Sequence, residues 1–275
     1  MKSEWVNRHT PWVRMMHWTN VVCFIVLFMS GLNIFNSNSS LYWGKSSYNG
    51  TAPLLQIKGK ITDQGEMIGT TTVLGRSFNT TGILGASMVG GNPTVRAFPS
   101  WITIPDRKWL ALARLWHFFF AWIFVINGFL YILYAIKSRH LANDLAPTPN
   151  DWRTIGQSIK DHIRFKHPTG EAAKRYNVLQ KIAYLVVIFI LLPMVILMGL
   201  GMSPMVNTVI PNWVDWFGGR QSARTLHFIA AWALVAFVLV HVFEVIITGL
   251  WNNIRSMITG RYEIKLDNSE TGAPT

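Results

Sequence analysis

The 275-residue chain has a single cysteine, Cys23, and it sits inside an apolar run. One thiol excludes an internal disulfide, a cysteine-ligated iron-sulfur cluster and a CxxCH attachment motif, so any redox group must be held by other side chains. Charge is scarce as well. Charged residues make up 14% of the chain against 50% hydrophobic, and the acidic ones are the scarcer half, 13 Asp and Glu beside 25 Lys and Arg. The apolar residues gather into long blocks that no water-soluble core of this size requires, so the bilayer is the expected solvent. A net charge of +12 could point to nucleic acid, but the basic residues flank the apolar blocks and form no separable basic domain. The charge is read as membrane topology, with lipid and no nucleic acid as partner.

Four segments, about 12 to 35, 109 to 136, 178 to 200 and 223 to 250, are long enough to cross ~30 Å of hydrocarbon at ~1.5 Å per residue. They predict an all-α membrane protein, a four-transmembrane-helix bundle forming one domain over 1–275. The first segment is expected to be retained, because it runs into Asn33-Ile34-Phe35-Asn36 without a small-x-small cleavage site. Lys2 and Arg8 precede it. Lys137, Arg139, Arg153, Lys160, Arg164, Lys166, Lys174 and Arg175 crowd the loop of about 137 to 176, and Arg255, Arg261 and Lys265 follow the last span. The positive-inside rule puts all three on the cytoplasmic side, N-in and C-in.

The outer loop of about 36 to 106 is rich in Gly, Thr, Ser and Asn, and at that length a connector is usually functional or disordered. A docking surface is expected there. Asn38-Ser39-Ser40, Asn49-Gly50-Thr51 and Asn79-Thr80-Thr81 fit the glycosylation pattern, which chance supplies easily in such a stretch. In the cytoplasmic loop Trp152, Ile155, Ile159 and Ile163 recur at helical spacing beside Arg153, Lys160 and Arg164, as in a helix lying on an anionic membrane surface.

Of eight histidines, His9, His140, His162 and His167 fall in flanks and loops, where solvation accounts for them. His17, His117, His227 and His241 lie inside predicted spans, where an ionisable side chain is costly and usually marks an ion path or a cofactor. His227 and His241, 14 residues apart, are separated by nearly four turns and share a face at levels ~21 Å apart. Helix direction sorts the four by depth. His17 and His241 come to the inner level and His117 and His227 to the outer one, two imidazoles from different helices at each, as bis-histidine ligation of two stacked b-type haems requires.

Arg14-x-x-His17, Arg114-x-x-His117 and Arg224-x-x-His227 each put an arginine one turn before a histidine on the same helical face. Guanidinium binds carboxylate bidentately, so Arg14, Arg114 and Arg224 are candidates for haem propionates; arginines that snorkel and set topology are the alternative. Gly31, Gly128 and Gly199 could let a macrocycle approach the backbone or could serve close helix packing. Zinc is a competing metal, although structural zinc prefers one tetrahedral cluster over pairs at two levels. A haem-free proton relay in a transporter or sensor also remains open, without the internal repeats or broken helices that transporters usually show.

The residues resemble a known family, the membrane dihaem cytochrome b subunits of nickel-iron hydrogenases, formate dehydrogenases and related molybdopterin oxidoreductases. The resemblance is carried by Trp12-Val13-Arg14-Met15-Met16-His17-Trp18, Arg114-Leu115-Trp116-His117, Tyr176-Asn177-Val178-Leu179-Gln180-Lys181, and Gly218-Gly219-Arg220-Gln221-Ser222-Ala223-Arg224-Thr225-Leu226-His227 leading to His241. It implies two haem b groups in a bacterial inner membrane, passing electrons between a periplasmic oxidoreductase and membrane quinone while anchoring that enzyme. The long outer loop departs from the compact hydrogenase pattern and leaves open the partner's identity and the direction of flow. For the quinone the candidates are Asn177, Gln180, Lys181 and Tyr184 at the start of the third span, and Glu244 one turn beyond His241, with His9 and Arg14 in reach. Interfacial anchoring is the alternative for each. A stand-alone haem oxidoreductase acting on superoxide or ferric iron at the outer face is the second functional expectation.

Overall fold

The computed structural model describes residues 3–46, 50–139, 141–164 and 177–265. Four helices in it have the length and apolarity to cross a membrane: Pro11–Ser37, Leu110–Lys137, Val178–Gly201 and Arg220–Ile247. Large apolar side chains such as Val22, Ile25, Phe119, Trp122, Phe129, Phe189, Leu239 and Val240 are left exposed along them. Helices that are apolar all round and still uncovered by protein are built for lipid. The third span contains a π turn at Val187–Leu191, where the Leu192 amide reaches back to the Val187 carbonyl. Pro193 follows at once and lacks the N–H that a regular ladder would need.

Eight strands also occur among the described residues: β1 Ser3–Asn7, β2 Ser40–Leu41, β3 Leu55–Ile61, β4 Met67–Val73, β5 Arg76–Asn79, β6 Gly85–Val89, β7 Asn92–Arg96 and β8 Arg261–Lys265. They amend the all-α expectation to a mostly helical one. The chain divides into two compact units. The terminal unit comprises Met1–Thr19, Asn127–Pro193 and Ala233–Thr275, and the loop unit comprises Asn20–Ile126 and Met194–Trp232.

In the loop unit, β2 to β5 form a four-stranded antiparallel meander and β6 and β7 a separate hairpin. The stretch expected as an outer loop and docking surface is therefore largely β structure. Two of its turns are two-residue connections, Leu74-Gly75 and Gly90-Gly91, with positive φ at both residues, as right-twisting hairpins require. Ile57 is buried while Lys58 and Lys60 are exposed, so the module keeps only a thin apolar face. That face joins Leu32 and Phe35 of the first span to Leu41, Ile57, Ala97 and Phe98 in one core.

Buried polar side chains staple the module to its helix. Arg96, 2% exposed, donates to the Phe98 carbonyl (2.7 Å), the Asp106 carbonyl and the Thr103 hydroxyl (2.7 Å). Burial pulls its guanidinium below the usual arginine range, with neighbouring Asp106 opposing. Asn36 takes the Phe98 amide at 2.7 Å, and Asn33 donates to the Pro105 and Arg107 carbonyls at 2.6 and 2.9 Å. The Asn33-to-Asn36 stretch that ends the first span thus fastens the residues around 96–107.

In the terminal unit, β1 and β8 pair antiparallel from Ser3 opposite Lys265 to Asn7 opposite Arg261. The chain leaves the fourth span at Gly249 (φ 109) into the amphipathic helix Leu250–Thr259. Asn252 bonds both the amide and the carbonyl of Glu263 (2.9 and 2.8 Å), and Arg255 lies 4.2 Å over the Trp5 ring and 3.1 Å from the Glu263 carboxylate. The amphipathic segment expected near Trp152 is present as two helices, Pro149–Arg153 and Ile155–Ile163, the first opened by a capping box between Thr148 and Asp151. Asn49, His140, Lys166, His167, Lys174, Arg175 and Tyr176 lie outside the described residues, as do the side chains of His162, Ile163 and Lys265.

Candidate functional site

Each unit contains one pair of intramembrane histidines. In the terminal unit the rings of His17 and His241 have centroids 6.4 Å apart, and in the loop unit those of His117 and His227 are 6.2 Å apart. The structure brings together the same rings that helix direction paired by depth. At a metal–imidazole bond of about 2 Å, two nitrogens on one metal lie about 4 Å apart and their ring centres roughly 6 Å. The observed spacing fits an iron between each pair. Among the described residues no group of three or more His, Cys, Asp or Glu converges on a metal position. The histidines therefore meet in twos, the number of axial positions a haem iron offers.

The loop-unit rings are held by backbone. His117 Nδ1 is 3.1 Å from the Leu27 carbonyl oxygen, and His227 Nδ1 is 2.7 Å from that of Val195. A carbonyl only accepts, so Nδ1 carries the proton in both rings and Nε2 is left as the bare lone pair that a metal needs. Ser30, fully buried, donates to the Val26 carbonyl at 2.6 Å and stands 3.1 Å from His117 Nδ1. A Cβ built on Gly31 would lie 3.4 Å from His117 Cε1, and one on Gly199 3.3 Å from His227 Cε1. These two glycines, for which macrocycle approach and close helix packing were both open, face the histidine rings. Gly128 meets nothing within 4 Å.

The terminal-unit pair is held by rings. Trp18 packs edge-on against His17 at 5.4 Å, and Phe237 stacks on His241 at 6.0 Å with 13° between planes. His17 Nδ1 is buried without a hydrogen-bond partner. Trp18 Nε1 donates to the Met257 carbonyl (3.0 Å) and Arg14 to that of Ile258, so the C-terminal end of the amphipathic helix closes on the residues around His17. Cations and donors are favoured at such an end by the helix dipole.

The three arginines expected at propionates differ in their engagements. Arg14 and Arg224 direct guanidinium donors to backbone carbonyls, those of Ile258 for the first and of Ser40 (3.0 Å) and Asn38 for the second, while Arg14 Nε is buried and unpartnered. Arg114 is exposed and lies 5.4 Å over the Phe118 ring. On the quinone side, Asn177 and Gln180 form the capping box of the third span, and Lys181 pairs with Asp151 at 2.9 Å. Tyr184 contacts Phe237 edge-on at 6.3 Å. Glu244 sits one turn beyond His241 and accepts the Thr248 hydroxyl on its backbone carbonyl. The signal that sequence reading passed over was the coincidence of an in-span glycine with a carbonyl four residues earlier, at Leu27 and Gly31 and again at Val195 and Gly199.

Imidazoles paired between apolar, lipid-suited helices define a membrane cytochrome of the b type. The chain belongs to the prokaryotic cytochrome b561 family, whose sequence profile matches residues 8–260. It is 28% identical over 242 residues to a protein of Azospira oryzae named putative protein-methionine-sulfoxide reductase subunit YedZ1, covering 88% of this chain and 91% of that protein. It is 27% identical over 164 residues to a probable Ni/Fe-hydrogenase B-type cytochrome subunit of Cupriavidus necator, covering 54% of this chain and 66% of that one. No solved structure matches the chain. The protein is thus a multi-pass integral membrane cytochrome that carries b-type haem and transfers electrons.

Proposed function

We propose that the chain holds two haems, one between His17 and His241 and one between His117 and His227. In this reading it passes electrons across a bacterial inner membrane between quinone and a partner oxidoreductase at the outer face. The observation that carries this is the pair of ring separations, 6.4 and 6.2 Å, each made by two helices of one unit. The β1–β8 pairing puts Ser3–Asn7 and Arg261–Lys265 on one side of the membrane, and the Lys and Arg beside the spans support the cytoplasm as that side. The haem supplies reversible one-electron chemistry at its iron. The chain's own residues do the rest: the Leu27 and Val195 carbonyls fix the histidine tautomers, and the apolar spans exclude water.

Arg14, Arg114 and Arg224 remain our propionate candidates, with Arg114 the one whose guanidinium makes no hydrogen bond among the described residues. Of the quinone-side residues Asn177, Gln180, Lys181, Tyr184 and Glu244, we favour Tyr184, because Phe237 links it by ring contacts to the imidazole of His241, which would hold the haem. The partner is suggested by the relatives. Both are named as subunits, which favours a partner enzyme over a stand-alone oxidoreductase. The fuller match is to a protein-methionine-sulfoxide reductase subunit, which favours electrons leaving quinol for a reductase.

The test is a reduced-minus-oxidised spectrum of the purified chain with its haem-to-protein ratio. The expected result is two haem b per chain, falling to one in His17→Ala and in His241→Ala with the same haem lost in both. Absence of a b-type spectrum overturns the reading, and loss of different haems in the two variants overturns the pairing.

A further inference from the structure

Every helical Cβ tilts toward the N-terminus, so the side chain of residue i+4 shields the carbonyl of residue i, whose first lone pair already takes the i+4 amide. Where residue i+4 is glycine, the second lone pair is open to a neighbouring helix. The loop unit uses this twice, for the two histidines of one pair. Gly31 uncovers Leu27 for His117, and Gly199 uncovers Val195 for His227, with the ring in each case against the missing Cβ at 3.4 and 3.3 Å. The first and third spans supply the two acceptors independently.

We infer that Gly31 and Gly199 are positioning residues that set the reduction potential of the haem between His117 and His227. Through them two backbone carbonyls accept from the axial imidazoles. An acceptor on Nδ1–H makes Nε2 a stronger electron donor, which favours ferric over ferrous iron and lowers the potential. Ser30 adds to this at His117. Its own proton is committed to Val26 at 2.6 Å, so its oxygen presents a lone pair to Nδ1 at 3.1 Å. His17, whose Nδ1 has no partner, lacks this setting. The inference rests on the two-haem reading, and the experiment separates the two.

In a His17→Ala background only the haem between His117 and His227 should remain, so its midpoint and its electron paramagnetic resonance signal are read alone. If that background keeps two haems or none, the two-haem reading falls. If it keeps one, Gly31→Ala and Gly199→Ala are added singly. Gly199→Ala pushes its ring back by a few tenths of an ångström and stretches the hydrogen bond, whereas Gly31→Ala meets its ring at ordinary contact and acts more weakly, by covering the Leu27 carbonyl. The expected result is a haem retained with altered g-values and a raised midpoint. The ferric-to-ferrous ratio at fixed potential should fall about threefold in Gly199→Ala, or about 30 mV at 59 mV per tenfold, and further in the Gly→Val variants. Gly128→Ala, with open space around it, should shift neither readout. Should an alanine variant lose its haem, Ser30→Ala decides, since it removes one acceptor and adds no bulk. It should raise the midpoint by less than Gly199→Ala. Haem retained with unchanged midpoint and g-values in the glycine variants, or in Ser30→Ala where those lose haem, overturns the inference.

Discussion

His117 and His227 each hand a ring proton to a backbone carbonyl, whereas His17 buries the same ring nitrogen without a partner, although the two pairs stand 6.2 and 6.4 Å apart. Ring spacing is therefore one property and ring restraint another. Spacing follows from where the helices run; restraint follows from what the second ring nitrogen meets. The loop-unit pair is restrained by carbonyls of helices that cannot turn away without breaking their ladders. The terminal-unit pair is restrained by Trp18 and Phe237, whose contacts fix position but set no tautomer. Restraint in the loop unit extends beyond the histidines, because its module hangs on Arg96, Asn33 and Asn36. In the terminal unit the β1–β8 pair and the helix Leu250–Thr259 are fastened by partly exposed groups, Trp5, Arg255 and Glu263.

The harshest way to break this comparison is Arg96→Met. Methionine fills much of the space but takes the donor from the Asp106 carbonyl and one of two donors from the Phe98 carbonyl, while the Thr103 hydroxyl keeps its bond to Ser100. Losing a charged donor from buried neutral acceptors costs about 1–3 kcal/mol. If a haem sits between His117 and His227, as we propose, heating the variant in detergent should release it well below the wild-type temperature, ahead of the second proposed haem. Simultaneous release at the wild-type temperature would show that the module contributes nothing to that pair.

Little of Arg96's role could be seen in the chain itself. The four spans were legible because an apolar run of over twenty residues suits little except a bilayer, and the four histidines because ionisable groups inside such runs are rare. Helix direction was enough to sort them by depth. What escaped depends on contacts distant in sequence. Arg224, one turn before His227, is a propionate candidate by its spacing, and nothing in that spacing announces that its donors also meet the Asn38 and Ser40 carbonyls beyond the end of the first span. The strands from Leu55 to Arg96 were hidden by their own polarity, since Lys58, Lys60 and Thr70 to Thr72 blur the alternation that marks a strand. Asn33 and Asn36 read only as the polar end of a span, and nothing local announces that their amides bind Pro105 and Phe98. Gly31 and Gly199 were noticed, but their use depends on which ring faces them.

A milder perturbation sharpens the contrast from the terminal unit. The Asp151 carboxyl lies below the usual carboxylate range, first because it accepts the Thr148 amide at 2.8 Å; burial opposes this, and Lys181 adds to it. A depressed folded value means that the group's stabilisation is complete above the ordinary carboxylate value of about 4 and is lost as pH falls through the depressed one. Asp151→Asn should cost about 1 kcal/mol near neutral pH, the usual worth of a cap. It should converge on wild type at the acid end of that window. Thermal midpoints of the two proteins in detergent from pH 7 to pH 3 check this, and a difference that stays constant with pH would assign the effect to packing.

The smallest expected effect separates two ion pairs of similar length. Lys181 and Asp151 meet at 2.9 Å with side chains 10% and 22% exposed, whereas Lys45 and Asp215 meet at 2.6 Å with Lys45 72% exposed. Distance alone would rank the Lys45 pair higher. Solvent reverses the order, because an exposed pair is worth at most about 1 kcal/mol and is screened within about 10 Å at moderate salt. Lys45→Ala should therefore lower the thermal midpoint barely measurably in dilute buffer and not at all in molar salt. Lys181→Met should keep more of its effect in the same salt, because the Lys181 ammonium that makes the pair is buried and the Asp151 carboxylate only partly open to ions. Equal salt sensitivity in the two variants would mean that burial does not distinguish these pairs.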